Sequence, residues 1–214
     1  MAAFTFFFNP MSRAMIARWA LHEAGADYEH VLVPWDAKPA ALLAANPMRK
    51  VPTLIHHHGG HDHVVSEAAA ICHYLALTHP QAGLLPDDHE AASYFRWLFF
   101  AAGPGEAAVT NRAMGWEPQD ARQEGTVGFG SFDRVVDSFD RWFADHDYVC
   151  GSRFTMADVY VGSQIDWGLA FKTMPARASF EAYAARVRAR PKYLEARAVD
   201  EALIAQGDAA KPGD

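Results

Sequence analysis

Five histidines fall within eight residues, His56-His57-His58-Gly59-Gly60-His61-Asp62-His63. Gly-Gly between two polar runs is the dipeptide of a two-residue hairpin turn. It sets His58 opposite His61 and His56 opposite His63, and the strand period of two lines all four on one face. Neutral imidazoles so clustered could bind zinc, nickel or copper. An exposed polar hairpin with incidental metal affinity accounts for the same residues. A catalytic zinc also needs a pocket and an outer shell that this pattern does not announce, so no metal is expected.

The flanks of the hairpin carry a second kind of chemistry. Upstream runs Asn46-Pro47-Met48-Arg49-Lys50-Val51-Pro52-Thr53-Leu54-Ile55. Proline lacks a ladder donor, so Pro52 belongs at a strand start or edge, and it forces Val51 into an extended conformation. Val51 should therefore offer an unclaimed backbone N–H and C=O at the rim of a sheet. Downstream, Val64-Val65 is the return strand and Ser66 can cap the next helix. Glu67 lies in that helix's first turn, where negative charge suits the dipole, and a buried position is expected for it.

This order of proline, hairpin and acidic helix start resembles the glutathione-binding half of the cytosolic glutathione transferases. The resemblance implies a cis Pro52 that shapes the site. It implies that the Val51 backbone pairs with the cysteinyl part of glutathione, while Glu67 and the following residue hold the γ-glutamyl end. The family usually has Ser after that Glu, and this chain has Ala68. One hydroxyl contact to the ligand carboxylate is then missing, although the Ala68 N–H can still reach it. Lys50 or Lys38 could meet the glycyl carboxylate; a solvated loop explains Lys38 better.

The chemistry so implied is attack by a glutathione thiolate on an electrophile. A free thiol of pKa ~8.5 is only a few per cent thiolate at neutral pH. Lowering that pKa by about two units takes about 2.7 kcal/mol. A hydrogen bond to a charged group supplies roughly 1.5–3 kcal/mol, and a helix N-terminus ~0.3–1 kcal/mol. One donor at the first helix start therefore nearly suffices. The family places a Tyr, Ser or Cys there, but the chain has no Tyr before Tyr28 and no Cys before Cys72. Ser12, Asn9 and Arg13 remain, in that order of preference. Ser12 is equally an ordinary helix cap, Asn9-Pro10 a strand-ending turn, and Arg13 a solvated helix residue. Met11, Phe100, Met114 and Trp116 are the candidates for an apolar electrophile pocket, although such residues are more often core.

These residues need elements to hold them. Thr5–Phe8 reads as a buried strand. Met15 with Trp19 and Ile16 with Ala20 keep helical spacing, and Gly25 ends that helix. Tyr28–Val33 is a strand, 39–45 a short helix, 53–65 the hairpin, and 67–79 a helix. The order β-α-β-α-β-β-α is that of a thioredoxin-like domain over 1–79. Residues 80–87, with two prolines and a glycine, form a linker. Beyond it only helices are expected, at roughly 88–103, 126–145, 155–171 and 176–190, with a last one after Pro191. They make an all-helical C-terminal domain over 88–206, followed by a flexible tail at 207–214. Thr155 and Asp158 form a capping box, with Phe154 and Val159 as its staple. Residues 151–159 also resemble the family's capping motif on its buried core helix, and the segment Asn9–Arg13 is similar to bacterial members. The resemblance points to a bacterial serine-type-like member.

Composition agrees. The chain has 214 residues, half of them hydrophobic, and a net charge of −7 that argues against nucleic acid and anionic membranes. No apolar run near the N-terminus is long enough to span a bilayer and no signal peptide is expected. Cys72 and Cys150 form no motif, which fits a reduced, cytoplasmic setting. The resemblance implies a homodimeric glutathione transferase that takes glutathione as co-substrate and a small hydrophobic electrophile, in detoxification or catabolism. Peroxidase, isomerase or dehalogenase activity shares the same fold. The competing readings are a catalytically silent binding protein and a metal handler built on the histidine hairpin.

Overall fold

The computed structural model describes residues 2–207. They form two compact units. One takes the chain up to Leu85 and again from Ala189, and the other is Pro86–Arg188.

The first unit is built on β1 (Phe4–Phe8), whose five residues are all buried. A strand covered on both faces reads as a continuous apolar run, which is why FTFFF does not alternate. β2 (Tyr28–Leu32) joins it in parallel. β3 (Thr53–His58) and β4 (His61–Ser66) follow antiparallel, giving the order β2-β1-β3-β4. Phe7 packs on one face with Val33 and with Leu42 of the short helix α2 (Ala40–Ala45). The opposite face carries α1 (Ala14–Ala24), which packs on α3 (Ala68–Thr78). Gly25 closes α1 at φ 67°, donating its N–H to the His22 carbonyl. The hairpin turn requires the same freedom twice, with Gly59 at φ 62° and Gly60 at φ 79°.

The second unit is helical. α4 (Ala91–Phe100) passes through a π turn at Ala101–Gly105 into α5 (Glu106–Ala113). The sequence pattern predicts a stop near Gly103-Pro104. The chain instead widens by one residue per turn, which accommodates a residue with no N–H and leaves room for its ring. A side chain at Gly105 would meet the Phe100 carbonyl at 3.3 Å, so the turn is tight there. The helix predicted over 126–145 is α7 (Phe132–Asp145), which starts later than expected, and a separate short helix, α6 (Ala121–Thr126), precedes it. Asp120 and Ser131 cap them, accepting from the N–H groups of Gln123 and Arg134. α8 (Met156–Ala170) is buried nearly all round and packs on α4 and on α9 (Ala178–Arg188). Its capping box is formed as the sequence predicts.

The last helix, α10 (Pro191–Ala205), follows the helical unit in the chain yet packs on α1. Chain order and packing thus divide the molecule differently. Arg18 of α1 is fully buried and donates from Nε to Asp200 of α10 at 2.8 Å and from Nη1 to the Tyr28 hydroxyl at 3.0 Å. Its guanidinium also lies over Phe8, 4.3 Å from the ring centre. Arg190 holds Glu23 through two bonds.

Burial also sets a pH response. Desolvation lowers His22, His30, His56 and His73, all in the first unit. A histidine whose folded pKa lies below its unfolded value adds stability above the unfolded value of about 6.5, and loses it as pH falls. The urea midpoint is therefore expected to drop between pH 7.5 and pH 6. A midpoint that holds or rises over that window would refute this.

Candidate functional site

The strand register gathers the site. Phe7 lies opposite Thr53, Thr53 opposite Ser66, and Phe8 opposite Leu32. The turn after β1, the segment entering β3 and the step from β4 to α3 therefore meet at one edge of the sheet. Ligands of open α/β sheets bind at such edges, where strand order reverses. Asn9, Met11, Ser12, Arg13, Val51, Pro52, Glu67 and Ala68 all belong to these three segments.

Asn9 is 1% exposed and faces inward. Its Nδ2 donates to the Val33 carbonyl at 3.1 Å, and its Oδ1 accepts from the Met11 N–H at 2.9 Å. It ties the ends of β1 and β2 together. Ser12 is half-buried at the start of α1, where its oxygen accepts from the Ala14 N–H at 3.1 Å. The hydroxyl hydrogen goes to the Asn9 carbonyl at 2.7 Å, since a carbonyl can only accept. To face a thiolate the hydroxyl must turn and give up that bond. Arg13 sits at the N-cap of α1 and is exposed, as is Met11.

The Val51–Pro52 bond is cis. Pro52 is buried and Val51 half-buried. Among the described residues nothing bonds the N–H or C=O of Val51, as its place before Pro52 predicts. Asn46, which sequence reasoning left without a role, organises this segment. It is 4% exposed; its Nδ2 donates to Thr53 Oγ1 at 2.9 Å and to the Lys50 carbonyl at 3.2 Å, and its Oδ1 accepts from the Met48 N–H. The Asn-Pro dipeptide was the available signal. Lys50 is exposed and Lys38 half-buried.

The start of α3 differs from expectation in two ways. Ser66 remains in β4, paired with Thr53, and does not cap the helix; Glu67 takes the cap position, with no side-chain cap bond. Glu67 is also exposed, not buried, and its backbone has φ 66°. A non-glycine residue held there is strained by about 1–3 kcal/mol, which points from geometry to function. The first helical bond runs from the Ile71 N–H to the Glu67 carbonyl. The N–H groups of Ala68, Ala69 and Ala70 are the open donors of the helix start. Such a terminus favours an anion.

The remaining pocket candidates lie in the second unit. Phe100 is half-buried and packs on Phe139 and Trp97 with ring centres 5.0 and 5.3 Å apart. Met114 and Trp116 follow α5 and are exposed. In the hairpin, His56 faces His63 and His58 faces His61 as the turn predicts. Among the described residues no three His, Cys, Asp or Glu side chains are placed to hold a metal together. No helix among them is long and apolar enough to cross a membrane.

A mixed four-stranded sheet between helices, open at one edge and followed by a helical unit, defines a thioredoxin-like domain joined to an all-helical one. The comparisons agree. Residues 11–78 match the glutathione S-transferase N-terminal domain and residues 104–191 the glutathione S-transferase C-terminal domain. Glutathione S-transferase GstA of Escherichia coli O157:H7 is 26% identical over 208 residues, 94% of this chain and 98% of that one. Glutathione S-transferase 1 of Schizosaccharomyces pombe is 33% identical over 159 residues, 69% of this chain and 66% of that one. The theta class glutathione S-transferase of Xanthomonas axonopodis pv. citri, solved with glutathione bound, superposes with a TM-score of 0.69 at 27% identity, over 92% of this chain and 97% of that one. A glutathione transferase from Methylococcus capsulatus reaches a TM-score of 0.74 at 24% identity, over 93% and 99%. The chain belongs to the glutathione S-transferase family.

Proposed function

We propose that this chain is a glutathione transferase of the bacterial serine type, cytoplasmic and homodimeric. It binds glutathione at the open sheet edge and activates the thiol for attack on a small hydrophobic electrophile. The carrying observation is the unclaimed Val51 backbone beside an open helix start led by Glu67. An extended N–H and C=O pair suits the peptide part of glutathione. The α3 donors suit its γ-glutamyl carboxylate, and the Glu67 carboxylate suits its amine. Lys50 and Lys38 supply positive charge for the glycyl carboxylate. Ser12 is the first thiol donor by its place at the start of α1, followed by Asn9 and then Arg13.

Glu67→Gln keeps the shape and removes the charge. Glutathione affinity is expected to fall about 10- to 100-fold, the worth of a charge-assisted bond. Calorimetric titration with glutathione reads it; an unchanged dissociation constant would remove Glu67 from the site.

A second reading has its own support. The Ser12 hydrogen is committed to the Asn9 carbonyl, and Ala68 stands where a hydroxyl is usual. A protein so built binds glutathione without lowering its thiol pKa. The deciding experiment follows the ultraviolet absorbance of bound thiolate against pH, in wild type and in Ser12→Ala. The transferase reading expects a bound pKa about two units below the free value, most of it lost in Ser12→Ala. A bound thiol that titrates as the free one gives the silent-binder reading. A lowered pKa untouched by Ser12→Ala moves the role to Arg13 or Asn9.

A further inference from the structure

The sheet-edge chemistry makes no use of the histidine hairpin, which carries an inference independent of it. The rings of His56 and His63, directly across the two strands, have centres 6.3 Å apart. His58 stacks beside His56 at 5.2 Å, and His61 lies 6.5 Å from His63. Four imidazoles thus form one continuous group on one face of an edge hairpin, and His58, His61 and His63 are exposed. His57 points to the other face and is already engaged, with Nδ1 against Asp62 at 2.6 Å and Nε2 against the Thr5 hydroxyl at 2.9 Å. His56 differs from the rest. Its Nδ1 meets the Tyr74 hydroxyl at 2.8 Å, and its ring stacks on Phe4 at 4.3 Å. In the tautomer whose Nδ1–H donates to that hydroxyl, His56 keeps its Nε2 lone pair for a ligand, the arrangement that outer-shell partners give to metal-bound histidines.

We propose that His56 and His63, with His58 and His61 beside them, form an open surface site for a divalent transition metal, copper(II) first. Two imidazoles hold the ion and water completes its shell, since no three donors converge in this arrangement. Rotation of either exposed neighbour adds a further nitrogen. All-imidazole donors suit copper, nickel and zinc, and the general affinity order puts copper highest.

The test uses metal-stripped, full-length protein without an affinity tag, in a non-chelating buffer free of glutathione. It is titrated with copper(II), nickel(II) and zinc(II) chlorides and followed by calorimetry and by electron paramagnetic resonance of the copper form. One saturable copper ion per chain is expected, with hyperfine coupling to nitrogen and binding lost as pH falls from 7 to 5. His63→Ala, at an exposed position that leaves the fold intact, should weaken copper binding by about tenfold or more. His58→Ala with His61→Ala should weaken it less, and His57→Ala not at all. Copper binding that survives His63→Ala unchanged belongs to other imidazoles and overturns the proposal, as does the absence of saturable binding.

Discussion

Asp158→Ala is expected to lower the unfolding free energy by about 3–5 kcal/mol, comparable to removing one partner of a buried ionic pair. Asp158 is fully buried and serves four donors. Its oxygens accept from the Val149 N–H at 2.7 Å, the Thr155 N–H at 2.8 Å, the Tyr183 hydroxyl at 2.9 Å and the Thr155 hydroxyl at 3.1 Å. Alanine leaves these donors in a dry core, each costing about 1–3 kcal/mol before relaxation. It also strips the N-terminus of α8, around which the helical unit packs. Against a typical total of about 5–15 kcal/mol, the loss removes roughly a fifth or more. Tyr183→Phe takes away one donor and its partner bond together, so it should cost about 1 kcal/mol. Urea unfolding of both variants checks this; a loss below about 1 kcal/mol for Asp158→Ala would refute the account.

The same carboxyl leaves a mark on the pH curve. Burial pushes it up to about 6, against the pull of its hydrogen bonds. An acid whose folded pKa is raised contributes stability below its unfolded value, about 3.9, and loses it as pH rises through the folded one. Wild type should therefore lose part of its stability between about pH 4 and 6 from this group, and Asp158→Ala should lack that component. The lowered histidines act with the opposite sign, so comparison of the two proteins isolates Asp158.

What was legible in the chain was local. The apolar run Thr5–Phe8, the glycine after α1, the Gly-Gly turn and the Thr155–Asp158 pair each fix backbone geometry within a few residues. Pro52 even announced the open Val51 backbone, because a missing donor and a forced extension are properties of the residue itself. The site's finer features depend on neighbours far along the chain or on atoms that residue type does not fix. Nothing about glutamate suggests φ 66° at Glu67; that conformation is imposed by β4 ending against β3 while α3 begins at once. Serine at a helix start does not say where its hydrogen goes, and here the Asn9 carbonyl takes it. The helical continuation through Gly103-Pro104-Gly105 contradicts the local signals, since two glycines and a proline read as a stop unless the turn widens. The electrophile candidates were legible only as apolar residues, since residue type alone does not say which of them lines a pocket.

Asp200→Ala is expected to cost as much as the loss of Asp158, but in the first unit and for a different reason. Arg18 and Asp200 lie 182 residues apart and are both buried. Removing the carboxylate leaves a guanidinium charge in an apolar setting against Phe6 and Phe8. Breaking a buried pair from one side typically costs about 3–5 kcal/mol. The pair is nevertheless imperfect, since Arg18 Nη2 and Asp200 Oδ2 are buried with no hydrogen-bond partner among the described residues. Burial also raises the Asp200 carboxyl despite the guanidinium beside it. Two half-satisfied ions stabilise little over a well-packed apolar pair. The double variant Arg18→Met with Asp200→Leu should therefore recover most of the loss seen in Asp200→Ala. A double-mutant cycle by urea unfolding measures the difference. If the double variant is as unstable as the single one, the pair contributes net stability and this argument fails. If it recovers, what the pair supplies is register. It sets α10 against α1 at one place, and Ser12 lies just ahead of the first turn of α1. The recovered variant would then be the one in which to look for a shifted thiol pKa at unchanged stability.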